Sequence, residues 1–95
     1  MLVREKAPRY QAYTWQEFLA GIDAMSNWLP ETAEFFGRRC VLNDTKTGYF
    51  VYDKDGLQHI MNEDSVLLFY GCNNLNTASM SSEHFWNTYE QVIWK

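Results

Sequence analysis

Cysteine is scarce in this sequence: the 95 residues contain two, Cys40 and Cys72. Neither belongs to a C-x-x-C pair or to a Cys/His cluster, which excludes a zinc ribbon and a thioredoxin-like redox motif. Two isolated cysteines are typical of free thiols in a cytosolic protein. A single disulfide is the alternative for an exported chain, but the opening residues lack the apolar segment of a signal peptide. We therefore expect a cytoplasmic protein.

Long apolar runs are also missing. The longest, residues 66–70, has five residues, whereas a membrane-spanning helix needs about 20. A run this short has the length of a buried strand. The sequence predicts no membrane-spanning segment.

Basic residues are few. Eight Lys and Arg stand against twelve Asp and Glu, which gives a formal net charge of −4. This balance argues against a protein that binds nucleic acid through its phosphates, because such binding needs a basic face. The acidic residues occur in short pairs, so solvated surface charge is a better interpretation than mimicry of DNA. Direct nucleic-acid binding is not expected.

Catalytic motifs are absent as well. There is no glycine-rich phosphate loop and no G-x-S-x-G elbow. The two histidines, His59 and His84, lie in different predicted elements. A nucleophile and its base need only meet in space, so a His–Cys or His–Ser dyad stays open. The pattern nevertheless favours a protein without catalytic activity, and it predicts neither a metal nor a cofactor.

Aromatic residues, by contrast, are abundant. Six Phe, six Tyr and four Trp are more than the core of so small a domain needs, since each buries about 150–250 Å² when packed. Some must therefore lie at the surface, where Tyr and Trp often anchor interfaces with other proteins.

The first third of the chain has helical periodicity. Thr14 and Glu17 have the spacing of a capping box, and apolar residues recur at helical spacing as far as Leu29. The sequence therefore predicts a helix over 15–29, preceded by a short strand over 10–15. Gly21, inside this helix, favours close packing against a neighbour.

A second, short helix is predicted over 30–36. Pro30 suits the first helical position, and Gly37 suits the residue just after a helix. From such a helix, Phe35 and Phe36 would both point into the core.

The remainder of the chain reads mostly as strands joined by turns. The predicted strands are 38–43, 49–53, 57–61, 65–71 and 90–94. Residues 71–80 are polar and rich in Asn, which predicts an exposed loop, and Ser81 is a suitable N-cap for a short helix. The sequence thus predicts one α+β domain over residues 1–95. It would contain a small antiparallel sheet of four to six strands, packed with one longer N-terminal helix and one or two short helices.

Several segments resemble a family of small proteins encoded by phages and prophages. That family begins with a motif of the type Y-R-K-K-P-V-x-x-E-A-x-x-W, and Arg4, Lys6, Ala12 and Trp15 fall in register with it. Glu34-Phe35-Phe36-Gly37 is similar to the family's E-F-L-G. Asp64-Ser65-Val66-Leu67 stands in place of G-D-W-I, and Phe85-x-x-x-Tyr89-Glu90-x-Val92 repeats the family's terminal spacing. The departures are Ala7, Gln11 and the Asn-rich segment at 72–79.

The resemblance implies an accessory protein that acts inside a bacterial host and has no established enzymatic activity. Phage proteins of this size often block a host defence system, such as CRISPR or restriction. The function implied is therefore binding, and inhibition or modulation, of a host protein. The alternative is a domain that binds a small molecule or a nucleotide in a pocket between sheet and helix.

Candidate contact residues come from two features, the surplus of aromatic residues and the Asn-rich segment. The surplus aromatics that could serve as anchors are Trp28, Tyr70, Trp86 and Trp94. The Asn-rich segment adds Asn73, Asn74 and Asn76, because loops often carry specific function. A homodimer is also possible, with the strand at 90–94 as an exposed edge.

Overall fold

The computed structural model describes the backbone of residues 1–4, 9–25 and 27–91, and the side chains of Met1, 11–25 and 27–89. These segments form nine strands, two helices of seven residues and one 3-10 turn. The strands are β1 Leu2–Arg4, β2 Arg9–Tyr13, β3 Thr32–Phe35, β4 Arg38–Leu42, β5 Gly48–Tyr52, β6 Gln58–Asn62, β7 Ser65–Tyr70, β8 Asn76–Ser81 and β9 Glu90–Gln91. The helices are α1 Trp15–Gly21 and α2 Ser82–Thr88, and the 3-10 turn is Cys72–Asn74.

The described strands make two antiparallel sheets. The four-stranded sheet has the order β3-β4-β5-β6, so neighbours in the sheet are also neighbours in the chain. The five-stranded sheet has the order β8-β7-β2-β1-β9. There, β2 pairs with β7 in the register Ala12↔Leu68, which joins segments far apart in sequence.

The main core lies between the two sheets. Phe18 from α1, Phe35 and Tyr49 from the four-stranded sheet, and Leu67 from the five-stranded sheet are all at most 1% exposed. Aromatic rings dominate this core: Phe18 lies 4.9 Å from Phe35 and 5.5 Å from Tyr49, measured between ring centroids.

A second apolar cluster lies on the opposite face of the five-stranded sheet. Val66 and Leu68 of β7 point to that face and pack with Ala12 and with Phe85 of α2, which is fully buried. Because α2 covers one face and the main core the other, β7 is buried on both sides. This explains why its sequence is a continuous apolar run and does not alternate.

The predicted long N-terminal helix is wrong. The helix starts at the predicted capping box, since Thr14 accepts a hydrogen bond from the Glu17 N–H, but α1 ends at Gly21. Asp23 has a φ of 56°, a left-handed conformation that cannot continue a helix. The helical spacing beyond this point was coincidental, because Met25 is 66% exposed and bridges to Trp28.

The predicted short helix over 30–36 is also wrong, because this segment contains strand β3, which pairs with β4. Phe36 and Gly37 form the two-residue turn between them, with φ values of 46° and 81°. Two positive φ values are the signature of the type I′ turn that joins tight hairpins. Phe35 is buried as predicted, but Phe36 is 64% exposed.

The predicted single sheet is replaced by two sheets with nine described strands, so the molecule is mostly sheet. Half of the Asn-rich loop is strand as well: Asn76–Ser81 pairs along its length with β7. The strands predicted over residues 38–71 and the Ser81 cap of α2 are confirmed. The predicted meander ends at β6, because β7 pairs with β2 and β8 in the other sheet. Residues 92–95, with most of the predicted last strand, lie outside the described residues.

Within the described part of the chain, no helix has the length and apolarity needed to cross a membrane.

Candidate partner-binding surface

Among the described residues, Phe36 combines a large exposed aromatic side chain with a positive φ. It occupies the first position of the β3–β4 turn, where its positive φ is rare for a bulky side chain. One face of its ring stacks on Tyr13, with centroids 5.4 Å apart and planes 26° apart, and its edge contacts Phe35. The ring is thus held by the core beneath it while most of its area faces solvent.

Arg38 connects the Phe36 turn to the turn between β7 and β8. Its guanidinium donates hydrogen bonds to the carbonyls of Phe36 at 3.0 Å and Asn74 at 2.6 Å, and its Nε donates to Thr77 at 2.8 Å. The same guanidinium lies 3.5 Å from the centroid of the Phe69 ring. Its partial burial lowers the pKa of Arg38 from its usual value. The two turns are therefore fixed relative to one another around a buried cation–π contact.

A shallow, open depression of about 540 Å³ lies beside these turns. Arg39, Tyr52 and Lys54 form part of its lining, together with Phe36 and Leu75. The Arg39 guanidinium lies 4.4 Å from the centroid of the Tyr52 ring, and Leu75 is 55% exposed. We call Phe36, Arg38, Arg39, Tyr52, Lys54 and Leu75 the Phe36 surface.

Asp53 forms the wall of this depression and organises the β5–β6 turn. One carboxylate oxygen accepts hydrogen bonds from the N–H groups of Asp55 at 2.8 Å and Leu57 at 3.0 Å. The other lies 2.9 Å from the His59 Nε2. The bond to His59, followed by the bond from Leu57, lowers the pKa of Asp53. These hydrogen bonds make Asp53 a structural clamp on the turn, and among the described residues no Ser or Cys side chain is bonded to His59.

The residues predicted from the Asn-rich segment lie close to the Phe36 surface. Asn73 and Asn74 are exposed and adopt positive φ values of 55° and 54°, and the Asn74 carbonyl is held by Arg38. Tyr70 and Asn76 pair across the start of the β7–β8 hairpin. They line a smaller depression that shares Asp53 and Lys54 with the first one.

Two of the predicted tryptophan anchors, Trp28 and Trp86, are not part of this surface. Trp28 is 57% exposed and lies after α1, beside Met25. Trp86 is 47% exposed on α2, where its ring lies edge-on to that of the buried Phe85. Trp94 lies outside the described residues. The tryptophans therefore offer two separate candidate positions, and their role in binding stays a prediction.

Sequence reasoning missed the whole Phe36 surface. The signal was present in Phe36-Gly37-Arg38-Arg39: a bulky residue before a glycine, followed by two of the few basic residues of an acidic chain. The helix predicted over 30–36 concealed it, since that helix would have directed Phe36 inward.

A metal site and a second groove are the other features considered as candidate binding sites, and both have weaker support. Among the described residues no group of three His, Cys, Asp or Glu side chains is arranged to hold a metal ion. A wider groove of about 820 Å³ beside α1 is lined by Trp15, Leu19 and Leu29. Its lining also includes Thr14, Gln16, Glu63 and Ser82 but no basic side chain.

Comparison with known proteins finds no matching family model, no matching curated protein and no matching solved structure.

Proposed function

We propose that this chain is a protein-binding module and that the Phe36 surface is its contact site. The observation that carries the proposal is the position of Phe36: a large aromatic side chain, 64% exposed, at a turn position with a φ of 46°. Asn, Asp and Gly are the residues that suit this position. A phenylalanine there costs on the order of 1–3 kcal/mol in backbone strain. Strain of this kind is typical of residues that are retained for function.

The surroundings of Phe36 support the same proposal. Exposed aromatic and arginine side chains are the commonest anchors of protein interfaces, and Arg39 and Tyr52 lie beside Phe36 in one depression. Arg38 fixes the backbone of both neighbouring turns. A surface held rigid in this way loses little conformational entropy when it binds.

The alternative, a pocket for a small molecule or nucleotide, has weaker support. Such sites are concave enough to bury about 70–90% of a ligand, whereas the depression beside Phe36 is open to solvent. A phage origin and a host defence protein as the target remain predictions that rest on the sequence pattern alone.

The test compares three variants in affinity capture from bacterial lysate, with mass spectrometry as the readout. Phe36→Asn removes the anchor but suits the turn. Trp86→Ala and Trp28→Ala remove exposed aromatics elsewhere on the molecule. We expect a stoichiometric partner with the wild type and with both tryptophan variants, and a loss of about tenfold or more in its affinity for Phe36→Asn.

The fold of Phe36→Asn is checked separately. Lost ring contacts of about 0.5–1.5 kcal/mol are offset by relief of backbone strain, so its free energy of unfolding should stay within about 1 kcal/mol of the wild type. If Phe36→Asn captured the partner as well as the wild type does, the proposed site would be contradicted. If only Trp86→Ala lost the partner, the contact site would lie on α2.

A further inference from the structure

Arg39 is the basic residue of the Phe36 surface whose hydrogen-bonding groups are free. Its side chain is exposed, and within the described part of the chain it has neither a hydrogen bond nor an ion pair. Its neighbour across the strands is Glu34, which is not within salt-bridge distance. Its contact is instead the ring of Tyr52, whose centroid lies 4.4 Å from the guanidinium carbon.

This arrangement prepares Arg39 to bind a carboxylate. A guanidinium has five N–H donors in a planar fork that matches a carboxylate in two parallel hydrogen bonds. The guanidinium lies over the Tyr52 ring, and its donors make no hydrogen bond within the described part of the chain. Because the contact with Tyr52 also restricts the side chain, less entropy is lost when the anion binds.

The other two basic residues of the Phe36 surface have different roles. Arg38 already donates three hydrogen bonds to its own chain, so it contributes charge more than contacts. Lys54 pairs with Asp55 at 3.2 Å, but both side chains are more than half exposed, and such pairs contribute only about 0–1 kcal/mol. Lys54 can therefore exchange Asp55 for a carboxylate of a partner.

The positive charge is locally concentrated in an acidic protein. Three of the eight Lys and Arg residues of the chain lie on the Phe36 surface, although the net charge is −4. Beside them, Phe36 and Leu75 present large apolar side chains that are 64% and 55% exposed. The surface thus combines a cationic side with an apolar side.

We propose that the Phe36 surface recognises an acidic peptide segment of its partner, with a carboxylate bound by Arg39 and an adjacent aromatic or aliphatic side chain packed on Phe36 and Leu75. This inference rests on the proposed function and specifies the chemistry of the partner. A nucleic acid fits less well, because Asp53 and Asp55 lie at the same depression and the adjacent one. Binding of single strands needs a continuous basic groove along the backbone.

The test uses short synthetic peptides with blocked ends and follows the backbone amide signals of the protein by NMR. The acidic probe is Glu-Glu-Phe-Glu-Glu. Glu-Glu-Gly-Glu-Glu lacks its apolar side chain, Lys-Lys-Phe-Lys-Lys reverses its charge, and a single-stranded oligothymidylate represents nucleic acid. We expect saturable binding of the acidic aromatic peptide, with shifts at Phe36, Arg39 and Leu75. The affinity should fall as salt is added.

Variants assign the binding to particular side chains. Arg39→Gln should weaken the acidic aromatic peptide about tenfold, as the loss of a charged hydrogen-bonded pair does. Lys46→Gln is the matched control, since it removes the same charge from an exposed position in the β4–β5 turn, and it should leave the affinity unchanged. The glycine-containing peptide should bind the wild type about tenfold more weakly, because the burial on Phe36 and Leu75 is lost.

Three results would overturn the inference: no saturable binding of the acidic aromatic peptide, equal losses for Arg39→Gln and Lys46→Gln, or tighter binding of the oligothymidylate at the same residues. The outcomes separate this inference from the proposed function. If Phe36→Asn abolishes capture of the protein partner while no acidic peptide binds, the Phe36 surface is still the contact site, but it does not recognise an acidic segment. If acidic peptides bind through Arg39 while Phe36→Asn captures the protein partner as well as the wild type does, Arg39 binds anions but the proposed function is wrong.

Discussion

Gly21 and Phe35 lie in contact where α1 meets β3. A Cβ atom placed on Gly21 would lie 2.3 Å from the Phe35 Cε1 and 2.8 Å from its Cδ1. The Phe35 ring cannot move away easily, because it is 1% exposed and packs against Tyr13, Phe18 and Phe69. The close packing that this glycine suggested in the sequence is therefore confirmed.

We expect Gly21→Ala to lower the free energy of unfolding by about 1–3 kcal/mol, the usual cost of overpacking a core. Helix propensity alone gives the opposite sign, since Ala is favoured over Gly by up to about 1 kcal/mol. Urea unfolding of the variant therefore distinguishes the two effects. In a Phe35→Leu background the ring atoms are gone, and Gly21→Ala should then cost less. A Gly21→Ala variant more stable than the wild type would contradict the contact.

Phe35 and Phe36 show how far prediction reaches at the scale of single residues. Burial of Phe35 was predictable, because both the predicted helix and the observed strand place its side chain in the core. The exposure of Phe36 depends on the turn: only a hairpin with its tip at Phe36-Gly37 directs that ring outward. Pro30 and Gly37 fit the start and end of a helix equally well, so local sequence could not separate the two structures.

The hairpin with an Asp-Gly turn was the element that sequence predicted best, whereas the hairpin at Phe36-Gly37 was missed. Asp55-Gly56, between the strands predicted over 49–53 and 57–61, is a strong hairpin signal, and Gly56 adopts a φ of 81° at the β5–β6 turn. The failure of the predicted helix over 15–29 has a different cause. Its apolar spacing continues past Gly21, but Asp23 turns the chain away and leaves Met25 exposed. The spacing of apolar residues indicates a helix, but it does not predict the residue at which the helix ends.

The β5–β6 turn provides a test of electrostatics at the scale of one element. Asp53 accepts three hydrogen bonds within its hairpin, and the bond to His59 is the main reason that its pKa is lowered. A carboxyl group whose pKa is lower in the folded state stabilises the fold above its unfolded pKa, roughly 3.9. That stabilisation is lost as the pH falls through the lowered pKa of the folded state.

We expect Asp53→Asn to lower the urea midpoint at neutral pH, and we expect its difference from the wild type to shrink as the pH falls below about 4. Urea unfolding followed by tryptophan fluorescence over a series of pH values measures this difference. Asp55→Asn is the matched control, because it removes the same charge from the same turn but only an exposed pair with Lys54. A difference for Asp53→Asn that is independent of pH would show that its carboxylate is not the clamp.

At the scale of the whole molecule, sequence failed because the decisive contacts are distant along the chain. The meander of β4 to β6 was predictable from its short turns, but the placement of β7 in the other sheet was not. The pairing of β2 with β7, and of β1 with β9, joins opposite ends of the sequence without any local signal. Those pairings make the second sheet, and the second sheet makes the core. A single sheet packed on a long helix satisfied the same apolar pattern.

The reactivity of the two cysteine thiols tests whether the two sheets stay packed over one core. Cys40 lies in β4 within the main core and is fully buried, whereas Cys72 is exposed at the β7–β8 turn. Burial raises the pKa of the Cys40 thiol to about 11, and the thiolate is the reactive form. In the native protein at pH 8, we expect one thiol per chain, Cys72, to react rapidly with a disulfide reagent.

Cys40 should react only when the sheets separate, so its rate should follow global unfolding and rise with urea along the unfolding limb. Cys72→Ser leaves Cys40 as the sole thiol and allows this rate to be measured alone. Rapid reaction of both thiols in the native protein would mean that the sheets open locally without unfolding. Because Arg38 and Phe35 flank Cys40 in the same pair of strands, such an opening would also loosen the Phe36 surface and would weaken the case for a rigid, preorganised contact site.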